Sequence, residues 1–420
     1  MQPKPPAQLL ITNSTELLTC LPSPGNLIGR IANGAVAVSG EHIIAVGPSA
    51  EVAAQVDTTS AQIVDASGKI VAPGFVDSHT HLVFGGSRVQ EYAAKMTRTA
   101  QEVKALGIPT GILATVDMTR AENVDQLTAS AAHRLRQMLA HGTTTVESKS
   151  GYGLTVADEL KLLEVNRRLQ ASQPVDVIST FLGAHDFPRD VPRERYIESI
   201  IQEMIPQVAD RKLAEFCDVF CDEGYYTVDE ARRILTAGRA AGLKPKIHTD
   251  QYSQIGGSAL AAELGVVSAD HLNYTDREAA RRLAQAGVVG VVTPLLDFAV
   301  RHPRPFDARL MLEEGLTLAL ATDLCPACWV ESMPLVMQFA CRQHRLSPEE
   351  ALLAATVNGA KALGLTDRGA LAPGQLADIQ IWDIPTVEDV IYRLGNNAVE
   401  TVIKRGKIAV SDSTFFAIPP

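Results

Sequence analysis

The middle of the chain alternates short apolar runs with longer amphipathic segments. Eight apolar runs lie between residues 69 and 323, each followed by a loop and most by a helix-like stretch. In chain order they read KIVAPGFVD, TTTVES, VDVISTFLGAH, LAEFCDVFCDE, LKPKIHTD, VVSADH, AGVVGVVTP and LTLALATD. Strands that alternate with helices are typical of parallel βα units. Eight such units favour an α/β fold of the (β/α)8 TIM barrel type over an open sheet.

Both ends of the chain have a different pattern. Residues 9–71 contain short β-like runs such as AVAVSG and HIIAVG, and ADIQIWD and AVETVIKRGKIAV near the C-terminus have the same character. We therefore expect a small β-sandwich subdomain built from residues 1–71 and 370–420, beside a barrel of residues 72–369. The connection between Phe84 and Asp125 is too long for an ordinary barrel loop, and it predicts a lid or a pocket wall.

Several of the apolar runs end in a polar or ionisable residue. These residues are Asp77, His79, His81, Glu147, His185, Asp222, His248, His271 and Asp323. The carboxyl ends of barrel strands all open onto one face. Because a buried strand is expected to be apolar throughout, polar groups repeated at strand ends indicate a shared site rather than packing.

Three histidines and one aspartate of this set suit a metal ion. His79 and His81 are two positions apart, so both imidazoles point to the same side of an extended segment. His248 and Asp323 add a third imidazole and a carboxylate at the same barrel face. Such a set, completed by water, is typical of a mononuclear hydrolytic site for Zn²⁺ or Fe²⁺. We expect His271 to be either a further ligand or a group that orients the attacking water.

Composition and charge limit the partners. The 420 residues are 46% hydrophobic and 20% charged, as in ordinary globular proteins. Lys and Arg are scattered and the net charge is −10, which argues against nucleic acid and anionic membranes as partners. No apolar stretch approaches the roughly 20 residues that span a bilayer, and Met1 to Pro6 do not begin a signal peptide, so we expect a cytoplasmic protein. Six cysteines in so long a chain do not make a disulfide framework.

Longer motifs give a more specific interpretation. PGFVDSHTHL, the KIH run, SADHL and the final ATD occur in this order, and with them the chain resembles the amidohydrolase superfamily. Within it, DSHTHLVFGGSR, SKSGYGL and LGAH are similar to motifs of the imidazolonepropionase family, and the similarity extends from about Leu9 to the C-terminus. The resemblance implies a metal-dependent hydrolase that opens the cyclic amide 4-imidazolone-5-propanoate to N-formimino-L-glutamate in histidine degradation, and it implies a homodimer.

The resemblance also implies roles for individual residues. The family's metal-ligand positions, for one divalent Zn²⁺ or Fe²⁺ ion, are occupied by His79, His81, His248 and Asp323. Arg88, Tyr152 and His185 match residues that hold the substrate, and together they suit the propionate carboxylate of a small-molecule substrate. Asp323 would act as base and then as acid, while His271 would orient the water or stabilise the oxyanion.

The ring-facing side departs from the family pattern. Gln251 stands where the family can have glutamate, and an amide hydrogen-bonds a ring but does not shuttle protons at neutral pH. After Asp323 the family usually reads Asp-x-Asn-Pro-Gly, whereas Cys325 and Ala327 stand here in place of the Asn and the Gly. We therefore expect altered substrate contacts at Gln251, Cys325, Ala327 and Cys328, with Gln251 also assigned to catalysis.

These departures leave other interpretations open. A related heterocycle with the same propionate side chain, such as a hydantoin or thiohydantoin, is an alternative substrate, and a deaminase is a more distant one. The spacing of Cys325 and Cys328 also fits a redox or zinc pair. A barrel whose site has decayed into a ligand-binding module is the alternative that is not an enzyme.

Overall fold

Two sheets of nine strands each organise the chain, which a computed structural model describes over residues 3–416. The barrel sheet contains β6 (Phe75–Asp77), β7 (Thr143–Lys149), β8 (Asp176–Ala184), β9 (Phe216–Cys221), β10 (Lys244–Pro245), β11 (Ile247–Thr249), β12 (Ser268–His271), β13 (Val289–Val292) and β14 (Leu318–Leu320). The terminal sheet contains β1 (Leu9–Leu18), β2 (Arg30–Ser39), β3 (His42–Pro48), β4 (Gln62–Asp65), β5 (Ile70–Pro73), β15 (Ile379–Trp382), β16 (Val399–Lys404), β17 (Lys407–Ser411) and β18 (Thr414–Phe415).

The barrel strands are parallel and follow the chain order. Neighbouring strands pair in the order β6, β7, β8, β9, β11, β12, β13 and β14. The short β10 lies beside β9. The first and last strands meet just beyond their ends, where Thr80 and Leu324 form a parallel bridge. There the Asp323 N–H donates to the His79 carbonyl at 3.1 Å. The predicted (β/α)8 barrel is thus confirmed, and its closure brings two candidate metal ligands together.

Helices surround the barrel and also pack on the terminal sheet. They are α1 (Ser49–Gln55), α2 (Val89–Thr97), α3 (Ala100–Ala105), α4 (Gly111–Ala121), α5 (Val124–Ala140), α6 (Val156–Ser172), α7 (Arg193–Ser199), a π-helical turn at Ile200–Met204, α8 (Ile205–Asp210), α9 (Val228–Ala240), α10 (Gly257–Leu264), α11 (Arg277–Gln285), α12 (Pro294–Val300), α13 (Ala308–Glu313), α14 (Met333–His344), α15 (Pro348–Ala355), α16 (Val357–Ala362) and α17 (Val387–Tyr392).

Helix α9 illustrates how the sequence specifies this packing. Thr227 and Glu230 form a capping box at its start, which satisfies two backbone N–H groups that the helix leaves free. The residues of α9 that are buried lie three or four positions apart, so they form one face. On that face Gly238 passes so close to β9 that an added Cβ would lie 2.7 Å from the Cβ of Cys217.

The terminal sheet joins both ends of the chain. Strand β5 pairs in parallel with β1 and antiparallel with β15, and it thereby links the N-terminal strands to the C-terminal ones. One face packs aliphatic side chains such as Ile11 and Val36 in a cluster. The other face packs Leu10 and Ala37 with Val52 of α1. Both faces are therefore apolar, as the runs of Ala and Val in β2 indicate.

The first apolar run of the sequence holds two strands rather than one. Ile70–Pro73 lies in the terminal sheet and Phe75–Asp77 begins the barrel. Gly74 separates them, and an added Cβ there would lie 2.4 Å from the Thr144 side chain. The division at residues 71/72 and 369/370 stays a prediction, and residues 1, 2 and 417–420 of the predicted subdomain lie outside the described range.

The long connection after Phe84 contains three helices, α2, α3 and α4, and it lies against the face where the barrel strands end. Within residues 3–416, none of the helices combines the length and apolar character that a membrane span requires.

Candidate active site

The predicted metal ligands converge at the carboxyl ends of the barrel strands. His79 and His81 follow β6, His248 lies in β11, and Asp323 follows β14. One ring nitrogen from each of the three histidines lies within 4.8 Å of the others. The Asp323 Oδ1 atom is 3.6 Å from His79 Nε2 and 3.8 Å from His81 Nε2. Four protein groups on three separate parts of the barrel therefore face one point.

His271 lies beside this cluster. Its ring centroid is 5.1 Å from that of His79 and 5.1 Å from that of His248, and its Nδ1 atom is 4.0 Å from Asp323 Oδ2. His271 and Asp323 both have left-handed backbone conformations, with φ of 82° and 48°. Such conformations cost free energy in residues other than glycine, and they are concentrated at functional sites.

The donor set fits a divalent metal ion. Nε2 of His79 and Nε2 of His248 are buried and make no hydrogen bond to the described residues. A buried polar atom without a partner is costly, and coordination to a metal removes that cost. Burial also holds the pKa of His79 and His81 well below its usual range, so their imidazoles are neutral and their lone pairs available. Burial raises the pKa of Asp323 to about 7.

A cavity of about 270 Å³ opens above the cluster. Among the predicted site residues, those that line it are His81, Arg88, Tyr152, His185, His248, Gln251, His271, Asp323, Cys325 and Ala327. His79 lies beneath them in the cluster and is fully buried. The residues predicted to bind the metal, the substrate carboxylate and the substrate ring thus lie around one cavity.

Arg88 reaches the cavity from the start of α2. Its Nε and Nη2 atoms donate to the two carboxylate oxygens of Glu91 at 2.6 and 2.9 Å. Lys95 lies four residues after Glu91 on α2. It also donates to Glu91 and also lines the cavity. Glu91 is buried and fixes both cations, so the cavity mouth has two positive groups against one negative group. An anionic substrate fits this balance of charge.

Tyr152 and His185 also line the cavity. The His185 ring stacks on that of His81 with centroids 4.7 Å apart, and the Tyr152 ring lies 5.3 Å from His185. Nδ1 of His185 is 3.1 Å from the Gly151 carbonyl, so it donates there and leaves the lone pair on Nε2. Burial lowers the pKa of His185 to about 3, which keeps this imidazole neutral. Gly151 has a φ of 108°, a conformation that favours glycine.

Three polar strand ends of the predicted set do not face the cavity. Asp77 accepts from the Thr322 N–H and hydroxyl at 3.1 and 2.6 Å, which ties β6 to the end of β14. Asp222 accepts from the N–H groups of Gln251 and Tyr252 at 2.8 and 2.9 Å and so shapes the loop after β11. Glu147 is completely buried and pairs with Lys246 at 2.8 Å. These three carboxylates hold neighbouring backbone and side-chain groups instead of lining the cavity.

The cysteine pair is split between two surfaces. The backbones of Cys325 and Cys328 pair through two hydrogen bonds of 3.1 and 3.0 Å across a two-residue turn. Cys325 lines the cavity, but Cys328 lines a neighbouring apolar groove with Trp329 and Phe339. The turn thus places Cys328 in the wall of the neighbouring groove rather than in that of the cavity, and its assignment as a substrate contact stays a prediction.

Several cavity residues were absent from the sequence prediction. They are Lys95, Gly111, Ile112, Phe220, Tyr225, Tyr252, Leu296 and Val300. Arg88, Glu91 and Lys95 have helical spacing, and this pattern could have identified Lys95 as a neighbour of Arg88. The aromatic residues follow strand ends as the histidines do, but they carry no charge that would separate them from ordinary packing residues.

Sequence comparison places this site in a known context. Residues 70–409 match the amidohydrolase family. An imidazolonepropionase from Geobacillus kaustophilus is 44% identical over 395 residues, which cover 93% of each chain. Another from Geobacillus thermodenitrificans is 46% identical over 91% of each chain, and one from Halobacterium salinarum is 42% identical over 96% of this chain and 97% of its own.

Solved structures share the fold. An adenosine deaminase from Xanthomonas campestris with bound zinc superposes with a TM-score of 0.72 and 20% identity, over 99% of this chain and 96% of its own. An atrazine chlorohydrolase from Arthrobacter aurescens complexed with zinc gives a TM-score of 0.73 at 18% identity, over 97% and 96%. At these identities the likeness concerns the fold alone.

Proposed function

The chain belongs to the amidohydrolase family, and within it to the imidazolonepropionases, and on this premise we propose that its barrel cavity hydrolyses 4-imidazolone-5-propanoate to N-formimino-L-glutamate in histidine degradation. The observation that carries the proposal is the position of the buried, unpartnered imidazole nitrogens beside Asp323, under a cavity whose mouth has an excess of positive charge.

One divalent metal ion, Zn²⁺ or Fe²⁺, is proposed for the cluster. His79, His81, His248 and Asp323 would hold it, since they offer three imidazoles and a carboxylate. Bound there, such an ion would lower the pKa of a coordinated water and polarise the ring carbonyl. Three imidazoles and a carboxylate suit either metal, so metal analysis of the purified protein decides between them.

Asp323 and His271 are proposed to handle the proton. Asp323 takes a proton from the attacking water and passes it to the ring nitrogen as the amide bond breaks. His271, 4.0 Å from Asp323, orients the water or donates to the developing oxyanion.

The remaining polar residues are proposed to hold the substrate in place. Arg88 uses Nε and Nη2 for Glu91, which leaves Nη1 for the propionate carboxylate, and Lys95 offers a second cation. Tyr152 and His185 complete the acid-binding side. A fixed carboxylate places the ring over the cluster, so these residues contribute mainly by positioning.

Gln251, Cys325 and Ala327 are proposed to contact the ring. All three line the cavity. The Gln251 amide hydrogen-bonds the ring without moving a proton. Because Cys325 and Ala327 replace an amide and a glycine, a hydantoin or thiohydantoin bearing the same propionate is the second candidate substrate.

We further propose that the protein is cytoplasmic and forms a homodimer. Light scattering of the purified protein tests the homodimer.

The decisive experiment is hydrolysis of freshly made 4-imidazolone-5-propanoate by metal-loaded protein, followed by loss of the ring chromophore. We expect kcat/KM on the order of 10⁴ M⁻¹s⁻¹ or above. Hydantoin and thiohydantoin propionates are assayed in parallel with the same preparation. Absent turnover of the imidazolone by metal-replete protein, together with turnover of one of these analogues, would contradict the proposed substrate and support the second candidate.

A further inference from the structure

A lysine buried in the barrel lies directly beneath the candidate metal cluster. Lys149 ends β7 and its side chain is completely buried. Its Nζ atom is 2.7 Å from Asp218 Oδ2, 3.1 Å from Asp270 Oδ2 and 3.0 Å from Glu147 Oε2. An ammonium group has three N–H donors; here one donates to Asp218 Oδ2, and the oxygens of Asp270 and Glu147 lie at ion-pair distance. The planar fork of an arginine would not match three acceptors around one point.

Two of these oxygens also face the candidate metal ligands. Asp270 Oδ2 is 2.7 Å from His79 Nδ1, and Asp218 Oδ2 is 3.0 Å from His248 Nδ1. The same two carboxylate oxygens therefore contact the lysine on one side and an imidazole on the other. All five side chains are buried, so water does not offer the imidazoles an alternative partner.

The second oxygen of each aspartate is already used. Asp218 Oδ1 accepts from the Val219 N–H at 2.8 Å. Asp270 Oδ1 accepts from the Ser268 hydroxyl at 2.6 Å. Each carboxylate is thus fixed at both ends, and rotation towards another partner would break an existing contact. The orientation of the two imidazoles depends on this arrangement.

We infer that Lys149 is a positioning residue of the metal site, where it holds Asp218 and Asp270 in the places from which they orient His248 and His79. Each aspartate keeps the proton of its histidine on Nδ1 and directs Nε2 towards the cluster. Partners of this kind set the tautomer and basicity of a ligating histidine. The inference rests on the metal site proposed above and adds to it a residue that touches neither metal nor substrate.

The test measures metal binding rather than turnover. The variant is Lys149→Met, which keeps the length of the side chain and removes its charge. Zn²⁺ affinity is measured by competition with a chromophoric chelator, and Co²⁺ absorption reports the ligand geometry. We expect the Zn²⁺ dissociation constant to rise by about 10- to 100-fold and the Co²⁺ bands to shift. Parent values of both in a folded variant would overturn the inference.

Lys404→Met is the matched control for loss of a buried charge. Lys404 is equally buried and lies 2.8 Å from Asp176 and 2.6 Å from Asp378, near the amino ends of the barrel strands. Its replacement should lower stability while the Zn²⁺ dissociation constant and Co²⁺ spectrum stay at parent values. An equal loss of metal affinity in both lysine variants would mean that Lys149 acts through general stability, and it would overturn the inference.

A charge-compensated variant guards against misfolding. Lys149→Met combined with Glu147→Gln removes one charge of each sign and keeps both aspartates. It is expected to fold and to show the same weakened metal binding, and parent affinity here would also count against the inference. His248→Ala separates the two proposals, since its full metal occupancy would show that the ligand set itself is wrong.

Discussion

At the scale of single residues, the site depends on buried imidazoles held in fixed orientations. His79, His248 and His271 are each at most 3% exposed, so they are available as ligands or hydrogen-bond partners only in fixed directions. The sequence indicated these histidines because ionisable residues stand out at the ends of apolar runs. The same reasoning does not show which strand-end group faces inwards. Asp222 and Glu147 have the same pattern, yet they support loops and lysines.

His248→Ala should abolish metal retention and hydrolysis, because it removes one of three imidazoles that point at the cluster. Metal analysis of the purified variant, with circular dichroism to establish folding, checks this outcome. His344→Ala is the control, since His344 is also buried but bonds to the Phe306 carbonyl instead. A folded His248→Ala protein with full metal occupancy would refute the ligand assignment.

Lys95→Met should raise KM several-fold and leave kcat nearly unchanged. The side chain is 48% exposed at the cavity mouth, so it adds a screened attraction for the substrate carboxylate and takes no part in bond breaking. Steady-state kinetics at low and at high salt check this, since the effect should shrink as salt is added. Lys104→Met, in an exposed position on α3, should keep the parent KM. A parent KM in Lys95→Met would remove Lys95 from the acid receptor.

At the scale of elements, one arginine fastens the segment between the metal histidines and Arg88. Arg134 of α5 is buried and donates to the carbonyls of Leu82 and Phe84 at 2.8 and 3.2 Å. Its guanidinium lies 3.6 Å from the centre of the Phe84 ring, which also meets the Trp329 ring edge-on. The loops after β6 and β14 are thereby held to the same helix.

Arg134→Met should lower the free energy of unfolding by about 2 kcal/mol, because two buried carbonyls lose a charged donor. KM should rise as well, since the segment that carries Arg88 is no longer fixed. Urea unfolding measures the free energy of unfolding, and steady-state kinetics measure KM. Arg136→Met, on the exposed face of the same helix, should match the parent in both. Unchanged stability in the Arg134 variant would show that its contacts are dispensable.

The elements themselves were largely predictable, because the strands of a parallel barrel are apolar runs that the sequence displays directly. Two features were not. The division of the first run at Gly74 depends on the approach of Thr144, which is distant in sequence. The role of α2 in the cavity depends on its direction after Arg88. Long-range packing decides both, and local periodicity carries no information about it.

At the scale of the whole molecule, a buried group of charges joins the barrel to the terminal sheet. Asp176 begins β8 and contacts Arg368 at 2.5 Å, Lys404 of β16 at 2.8 Å and Arg405 at 3.2 Å. The Asp176 side chain is 8% exposed. This carboxylate lies between one part of the barrel and the C-terminal strands, so its ion pairs join the two sheets.

Asp176→Asn should lower the free energy of unfolding by about 3 kcal/mol at neutral pH, since three cations lose their buried carboxylate. These cations hold the pKa of Asp176 well below its usual value, although burial opposes them. The stabilisation is therefore complete above the unfolded pKa, near 4, and is lost as the pH falls below it.

Urea unfolding of parent and variant between pH 7 and pH 3 checks both the size and the sign. The difference between the two proteins should be largest at pH 7 and should shrink steadily below about pH 4, because the parent carboxylate then begins to lose its advantage over the unfolded chain. Asp125→Asn is the matched control, since Asp125 pairs with Arg168 at the surface and is screened by water. A difference that stays constant with pH would mean that the Asp176 carboxylate acts through hydrogen-bond geometry rather than charge, and the two sheets would then not be joined by ion pairing.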